Sequence, residues 1–254
     1  MFQGRNLLIV TMHGKEQVIA PLAVQALGVE CVLAEGFNTD SLGTFTGEVE
    51  RKGNALETLR RKCLEGMALY RADLAIASEG SFGPHPSIFF ASADDELIML
   101  MDKANDIEIV GRELTIDTNF SSAEISNEQD LQQFLQLAKF PGHAVIIRRS
   151  EKDHNHVVKG INDESQLAAV SAEYLKRYGK YVIETDMRAM HNPSRMQAIM
   201  RAMVKLLDKV KSCCPVCNSP GFGVTSTTPG LPCSSCRFPT ESTLAHIYTC
   251  VKCD

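Results

Sequence analysis

The sequence predicts an α/β protein: a mixed, largely parallel sheet flanked by helices over residues 1–211, then a small zinc-ribbon over 212–254. Three observations predict it. Nearly unbroken apolar runs at Leu7–Met12, Leu74–Ala77 and Tyr181–Glu184 read as buried strands. Helix-spaced apolar stripes lie between them, as in Leu56, Leu59, Cys63, Met67 and Tyr70. Seven of the nine cysteines fall after residue 212, six of them in CxxC pairs. Clustering of that kind suggests metal ligation rather than a disulfide framework.

Composition narrows the function classes. With 254 residues the chain can bury a sizeable core, as one unit or as two lobes divided near 120 and 121. Its net charge of −5 and pI of about 5.8 count against a general nucleic-acid binder, although a local basic patch stays open. No apolar run approaches the ~20 residues of a membrane helix. The N-terminus enters a strand-like run with no signal-peptide pattern. A cytoplasmic protein is expected, without membrane contact and with a homo-oligomer left open.

The elements follow in order. After Leu7–Met12 comes His13-Gly14-Lys15-Glu16, then a helix with Val18, Ile19, Leu22, Ala23, Ala26 and Leu27 on its stripe. Pro21 is expected in that helix's first turn. Glu30–Ala34 is a second short strand. Glu35–Gly53 is long and irregular, with a short strand expected within Thr44–Arg51. Asn54 and Glu57 form a capping box for a helix to Tyr70. Leu74–Ala77 is expected to stop at the polar loop Ser78–Pro86. Leu97–Met101 and Ile107–Thr115 form a hairpin. Ser126 is expected to cap a helix ended by Phe140-Pro141-Gly142. Ala144–Arg149 is a strand, Lys152–His156 a polar tip, and Asp163–Tyr178 a helix stopped by Gly179. The strand Tyr181–Glu184 leads through a polar stretch to a helix capped by Asn192 and begun by Pro193.

Three polar stretches stand at strand ends, where open α/β sheets bind ligands. His13, Gly14 and Lys15 offer a helix N-terminus and an ammonium to an anion such as phosphate, although the Walker spacing is missing. Glu79, Gly80, Ser81 and His85 follow the second apolar run. Glu184 and Asp186 stand two apart and can share a divalent cation. Arg188 and Arg195 suit phosphate oxygens, and His85 or His191 can move a leaving-group proton. Arg51, Glu57 and Arg61 lie in the segment between these ends. Exposed turns and surface pairs would use the same residue types.

The tail holds the most specific signal. Cys214-Pro-Val-Cys217, Cys233-Ser-Ser-Cys236 and Cys250-Val-Lys-Cys253 are separated by 15 and 13 residues. Two CxxC turns complete a four-thiolate zinc site, closed and therefore structural. Cys214, Cys217, Cys250 and Cys253 are the expected set. Cys233 and Cys236 are either spare or, with His246 or Cys213, part of a second site.

The strings TMHGKE, GTFTGEVERKG, ETLRRKC, ASEGSFGPHP, ETDMRAMHNPSRM and CPVC…PGLPCSSC are similar to an uncharacterised bacterial family known only as a domain of unknown function. The element order over about residues 5–115 resembles the Maf and inosine/xanthosine triphosphatase superfamily of nucleoside triphosphate pyrophosphatases. In that resemblance Thr11–Lys15 corresponds to the first strand-turn, Glu57-Thr58 with Arg61-Lys62 to a helix, Ser78-Glu79-Gly80 to the acidic loop, and Glu184–Arg195 to the closing segment. It implies that Lys15 and Arg195 hold phosphates, and that Glu57 and Glu79 hold Mg²⁺ or activate water. The departures are His13-Gly14 before the lysine, Gly80-Ser81 after the carboxylate, and the cysteine tail.

The expected function is metal-dependent hydrolysis of a phosphorylated small molecule, a nucleotide for preference. The alternative is a zinc-ribbon module binding nucleic acid, which is not favoured, or protein, with a non-catalytic, nucleotide-sensing α/β part.

Overall fold

The computed structural model describes residues 1–37, 54–250 and 252–253. The first lobe is built on β1 (Asn6–Val10), α1 (Glu16–Leu27), β2 (Glu30–Leu33), α2 (Ala55–Tyr70), β3 (Leu74–Pro84), β4 (Ser92–Asp102) and β5 (Ile107–Thr115). Its strands lie in the order β2-β1-β3-β4-β5. The second lobe has β6 (Ser122–Ile125), α3 (Glu128–Ala138), β7 (Val145–Arg148), β8 (Val157–Ile161), α4 (Glu164–Tyr178) and β9 (Tyr181–Thr185), with strand order β6-β9-β7-β8. A 3₁₀ turn at Ala189–His191 leads into α5 (Pro193–Lys211), and the chain ends in the hairpin of β10 (Gly223–Pro229) and β11 (Thr243–Thr249).

The α/β class holds, but the sheet is not largely parallel. Among the described residues only β2-β1 and β1-β3 pair in parallel; β3-β4, β4-β5 and every pairing of the second sheet are antiparallel. The reason is connection length. Helices α1 and α2 carry the chain back over the sheet between β1, β2 and β3, whereas residues 85–91 and 103–106 are short links that permit only antiparallel neighbours.

Two helical layers cover the first sheet. Ile19 and Ala23 of α1 and Ile199, Ala202, Met203 and Leu206 of α5 bury one face with Leu7, Ile9, Leu74, Ile76, Ile98 and Leu100. Leu59, Cys63 and Met67 of α2 bury the other with Leu8, Val10, Ala75, Ala77 and Met99. A boundary at 120 and 121 does not follow this packing, because α5 returns to the first sheet. It comes very close: a Cβ on Gly111 of β5 would lie 2.5 Å from the Ala202 carbonyl oxygen and 2.5 Å from the Leu206 nitrogen. The second sheet buries Ile125, Val145, Ile147, Ile161 and Ile183 under α3 and α4.

Local signals hold with small shifts. The Asn54–Glu57 capping box is present, Asn192 caps α5 with Pro193 at its start, and Gly179 stops α4 in the left-handed region. Asn127, not Ser126, caps α3, its side chain accepting from the Asp130 N–H at 2.9 Å. Pro21 sits in the second turn of α1, because the Lys15 carbonyl already accepts from the Val18 and Ile19 N–H groups at 3.2 Å. The strand expected over Thr44–Arg51 lies outside the described residues.

The largest departure concerns Ser78–Pro86. β3 does not stop at Ala77; it pairs with β4 residue by residue from Leu74–Asp102 to Pro84–Ser92. β1 ends at Val10, opposite Ala77, so β3 runs on past its parallel neighbour. The chain leaves β1 toward β2 on one side and β3 toward β4 on the other, which is the switch point where open sheets leave a crevice.

Candidate functional site

Alternation along β3 sends Glu79 and Ser81 toward α2, and Ser78, Gly80 and Phe82 toward α5. On the α2 side the Lys62 ammonium forms a buried ion pair with Glu79 and also donates to the Ser78 carbonyl at 3.1 Å. On the α5 side the Arg195 Nε donates to Glu96 Oε1 at 2.7 Å, another Arg195 N–H donates to the Met187 carbonyl, and its guanidinium lies 5.0 Å from the Phe82 ring centre. This pair passes directly over Gly80: a Cβ there would meet Glu96 Oε1 at 2.3 Å and Arg195 Nη2 at 2.6 Å. A mid-strand glycine here makes room for a buried ion pair.

Lys15 completes the group. His13 and Gly14 take positive φ, 66° and 79°, and turn the chain sharply from β1 into α1. Lys15 then stands at the N-cap of α1, only 6 % exposed. Burial first, then the neighbouring Arg195 and Lys62 charges, bring its pKa down to about 7, against the opposing pull of Glu96 and Glu79. The loop after β9 reaches the same turn, with Met190 Cβ 3.5 Å from where a Gly14 Cβ would lie. Beside the turn is a cleft of about 350 Å³, lined by Thr11–Gly14 and Leu33–Phe37.

Two carboxylates absent from the expected set belong here. Asp94 and Glu96 of β4 lie opposite Phe82 and Gly80 and are fully buried. Among the described residues no N–H group reaches either Asp94 oxygen or Glu96 Oε2, and the two carboxyls are hydrogen-bonded to each other. Burial, then the adjacent Glu96 charge, pushes Asp94 up to about 8. The signal was available in sequence: acids two apart, Asp94 and Glu96, leading into the apolar run Leu97–Met101 must share one face of a buried strand.

The structure thus brings Lys15, Glu79 and Arg195 together. It gives the other expected residues different tasks. Glu57 is exposed and accepts from the Asn54 N–H at 3.1 Å, as a helix cap. Arg61 pairs with Glu65 at 3.8 Å. His85 Nδ1 accepts from the Ser87 and Ile88 N–H groups at 3.1 and 3.0 Å, shaping the tip of the β3–β4 hairpin, about 20 Å of strand beyond Glu79. Glu184 pairs with Arg148 and Asp186 with Arg188, so each carboxylate has an arginine of its own. Arg188 and His191 flank Gly160 of β8, each 3.2 Å from a Cβ built there. Ser81 is half-buried on the α2 side of β3. Arg51 lies outside the described residues.

The cysteine tail forms a metal centre. Sγ of Cys214, Cys217, Cys250 and Cys253 all lie within 4.8 Å of one another. Cys214 to Cys253 is 3.6 Å and Cys217 to Cys250 is 3.5 Å. Those spacings exceed a disulfide and match the edges of a tetrahedron with bonds of about 2.3 Å from metal to sulfur. The Ser219 hydroxyl and N–H hold Cys217 down to about 6, and the surrounding thiols push Cys253 up to about 12. A divalent metal such as zinc fits this set.

Fold and sites together define an α/β protein with a buried charge cluster at its switch point and a C-terminal ribbon able to hold metal. The chain belongs to the family described as a domain of unknown function, DUF6671, which matches residues 62–254. No curated protein matches the chain. No helix among the described residues is long and apolar enough to cross a membrane.

Proposed function

We propose that the chain is a cytoplasmic, metal-dependent hydrolase of a phosphorylated small molecule, a nucleotide for preference, acting at the carboxyl ends of β1 and β3. The observation that carries this reading is the pairing of opposite deficits in one cluster. Lys15, Lys62 and Arg195 converge on one buried cluster in which Lys15 is brought down to about 7, while Asp94 beside it is pushed up to about 8. At the same time, the buried Asp94 and Glu96 carboxyls are hydrogen-bonded to each other, and no N–H group among the described residues meets three of their four oxygens. An anion answers the first deficit and a divalent cation the second; a phosphoryl group with its metal answers both. The resemblance of the element order over about residues 5–115 to the nucleoside triphosphate pyrophosphatases motivates the choice of substrate.

Asp94 and Glu96 would hold the cation, since Mg²⁺ is commonly bound by one or two carboxylates together with substrate phosphates. The metal, when bound, supplies Lewis-acid polarisation of a phosphoryl oxygen. Lys15 contacts a phosphoryl oxygen and balances the charge developing there. Arg195 positions Glu96 instead of touching phosphate, because its N–H groups already serve Glu96 and Met187. Lys62 fixes the buried Glu79, which would orient the attacking water once substrate is bound. The Cys214, Cys217, Cys250 and Cys253 set is closed and structural, with zinc as its metal.

The test is turnover by the full chain across a panel of nucleotides and phosphate esters, with and without Mg²⁺. Metal-dependent release of phosphate or pyrophosphate is expected, lowered about 10²–10³-fold by Lys15→Met and by Asp94→Asn, and unchanged by Glu57→Gln. No turnover of any member, or full activity in Asp94→Asn, overturns the proposal. Ligand-induced thermal stabilisation without turnover would make the α/β part a sensor.

A further inference from the structure

The β10–β11 hairpin carries a CxxC knuckle at each end. At the open end, Cys214 donates its N–H to the Ser219 carbonyl at 2.8 Å, and Asn218 donates to the Cys214 carbonyl at 2.9 Å. At the closed end, Cys233 donates to the Phe238 carbonyl at 2.8 Å, and Arg237 donates to the Cys233 carbonyl at 3.0 Å. Asn218 and Arg237 take the same left-handed φ, 58° and 63°. Each knuckle is closed by a bridge to the proline three residues after its second cysteine, Cys213 with Pro220 and Pro232 with Pro239. The Val216 N–H points at Cys214 Sγ, and the Ser235 and Cys236 N–H groups point at Cys233 Sγ. The second knuckle therefore repeats the backbone of the first, which presents two thiols to one point.

The two ends differ in what completes them. The first knuckle meets Cys250 and Cys253. Around the second, no group of three or more His, Cys, Asp or Glu forms among the described residues. The seven residues of β10, about 23 Å of strand, separate it from the first set. Its surroundings are apolar and open to solvent: Leu231 is 46 % exposed, Phe238 75 % and Leu244 54 %.

We propose that Cys233 and Cys236 are one half of a second zinc site, completed by the same two cysteines of a second copy of the chain. Zinc takes four ligands and each copy offers two, so a two-fold axis through the metal closes the assembly with one interface. Four thiols lose their protons to solvent as the Zn–S bonds form, and nothing is oxidised or reduced. Leu231, Phe238 and Leu244 of each tip then meet the other copy. Arg237 and Glu241 give each tip one charge of either sign, which suits a surface facing itself.

The test is zinc content and native mass of the full chain, reduced with a phosphine and saturated with Zn²⁺. A dimer carrying three zinc ions is expected. The double variant Cys233→Ser/Cys236→Ser should be a monomer with one zinc, the retained ion showing that the ribbon still folds. A monomeric chain with one or two zinc ions overturns the proposal, as does a dimer that survives the double variant. A dimer seen only before the phosphine is added, with zinc content the same before and after, also overturns it and would indicate a disulfide.

Discussion

β4 carries a buried aspartate near each end, and they contrast sharply. Asp102, at the amino-terminal end of β1 and β3, is fully buried and accepts from Arg5 Nη1 at 2.5 Å, Arg5 Nη2 at 2.9 Å, the Asn105 side chain at 2.7 Å and the Ala104 and Asn105 N–H groups. Burial pushes its carboxyl up, but the Arg5 and Asn105 hydrogen bonds outweigh it and hold Asp102 below the usual range. Asp94, at the switch-point end, is equally buried, but among the described residues its partner is the Glu96 carboxyl and no N–H group reaches it. The saturated carboxylate serves the fold. The one set against another carboxyl costs the fold stability, and under the proposed function a bound cation would offset that cost.

The largest expected effect tests the saturated end. Asp102→Ala leaves Arg5 without its main partner and should lower the unfolding free energy by about 3 kcal/mol in urea. Asp94→Asn in metal-free buffer should lower it not at all. Next is Gly80→Ala, which drives a methyl group into Glu96 and Arg195 and should cost about 2 kcal/mol, whereas Gly83→Ala, with nothing within 4 Å, should stay within about 0.5 kcal/mol.

The pH dependence of stability follows from the two shifted groups. Asp94 keeps its proton in the folded chain up to about 8, so the folded state binds more protons than the unfolded one and stability falls as pH rises from about 4 to 8. Lys15 loses its proton near 7 when folded, so the unfolded state binds more protons and stability recovers between about 7 and 10.5. Each limb should slope by up to about 1.4 kcal/mol per pH unit. Asp94→Asn should flatten the first and Lys15→Met the second, measured by denaturant titrations without metal. The smallest effect is that of Glu57→Gln, about 0.5 kcal/mol in stability and none in turnover, as befits a helix cap.

The ribbon was legible because its ligands repeat at fixed local spacing, and the four expected cysteines are the four that meet. The switch-point cluster was half legible. Lys15 and Glu79 announce themselves as polar residues after apolar runs. Glu79 was misread as a loop residue, since nothing local reveals that β4 supplies a partner as far as Pro84. The spacing of Asp94 and Glu96 shows that they share a face, but what that face meets is set by pairing with β3 and by Arg195, nearly a hundred residues away. Glu57, Asp186 and His85 were over-read: each has the right chemistry, but a cap, a neighbouring arginine or a turn already occupies it.

The most direct measurement is the titration of Lys15 by NMR of its side-chain nitrogen, in the full chain, with and without pyrophosphate and Mg²⁺. Lys15 should titrate near 7 in the free protein and move upward by more than about one unit when the anion binds, since an adjacent phosphoryl charge favours the ammonium. A titration that pyrophosphate leaves unchanged would contradict the assignment of this cluster as the site.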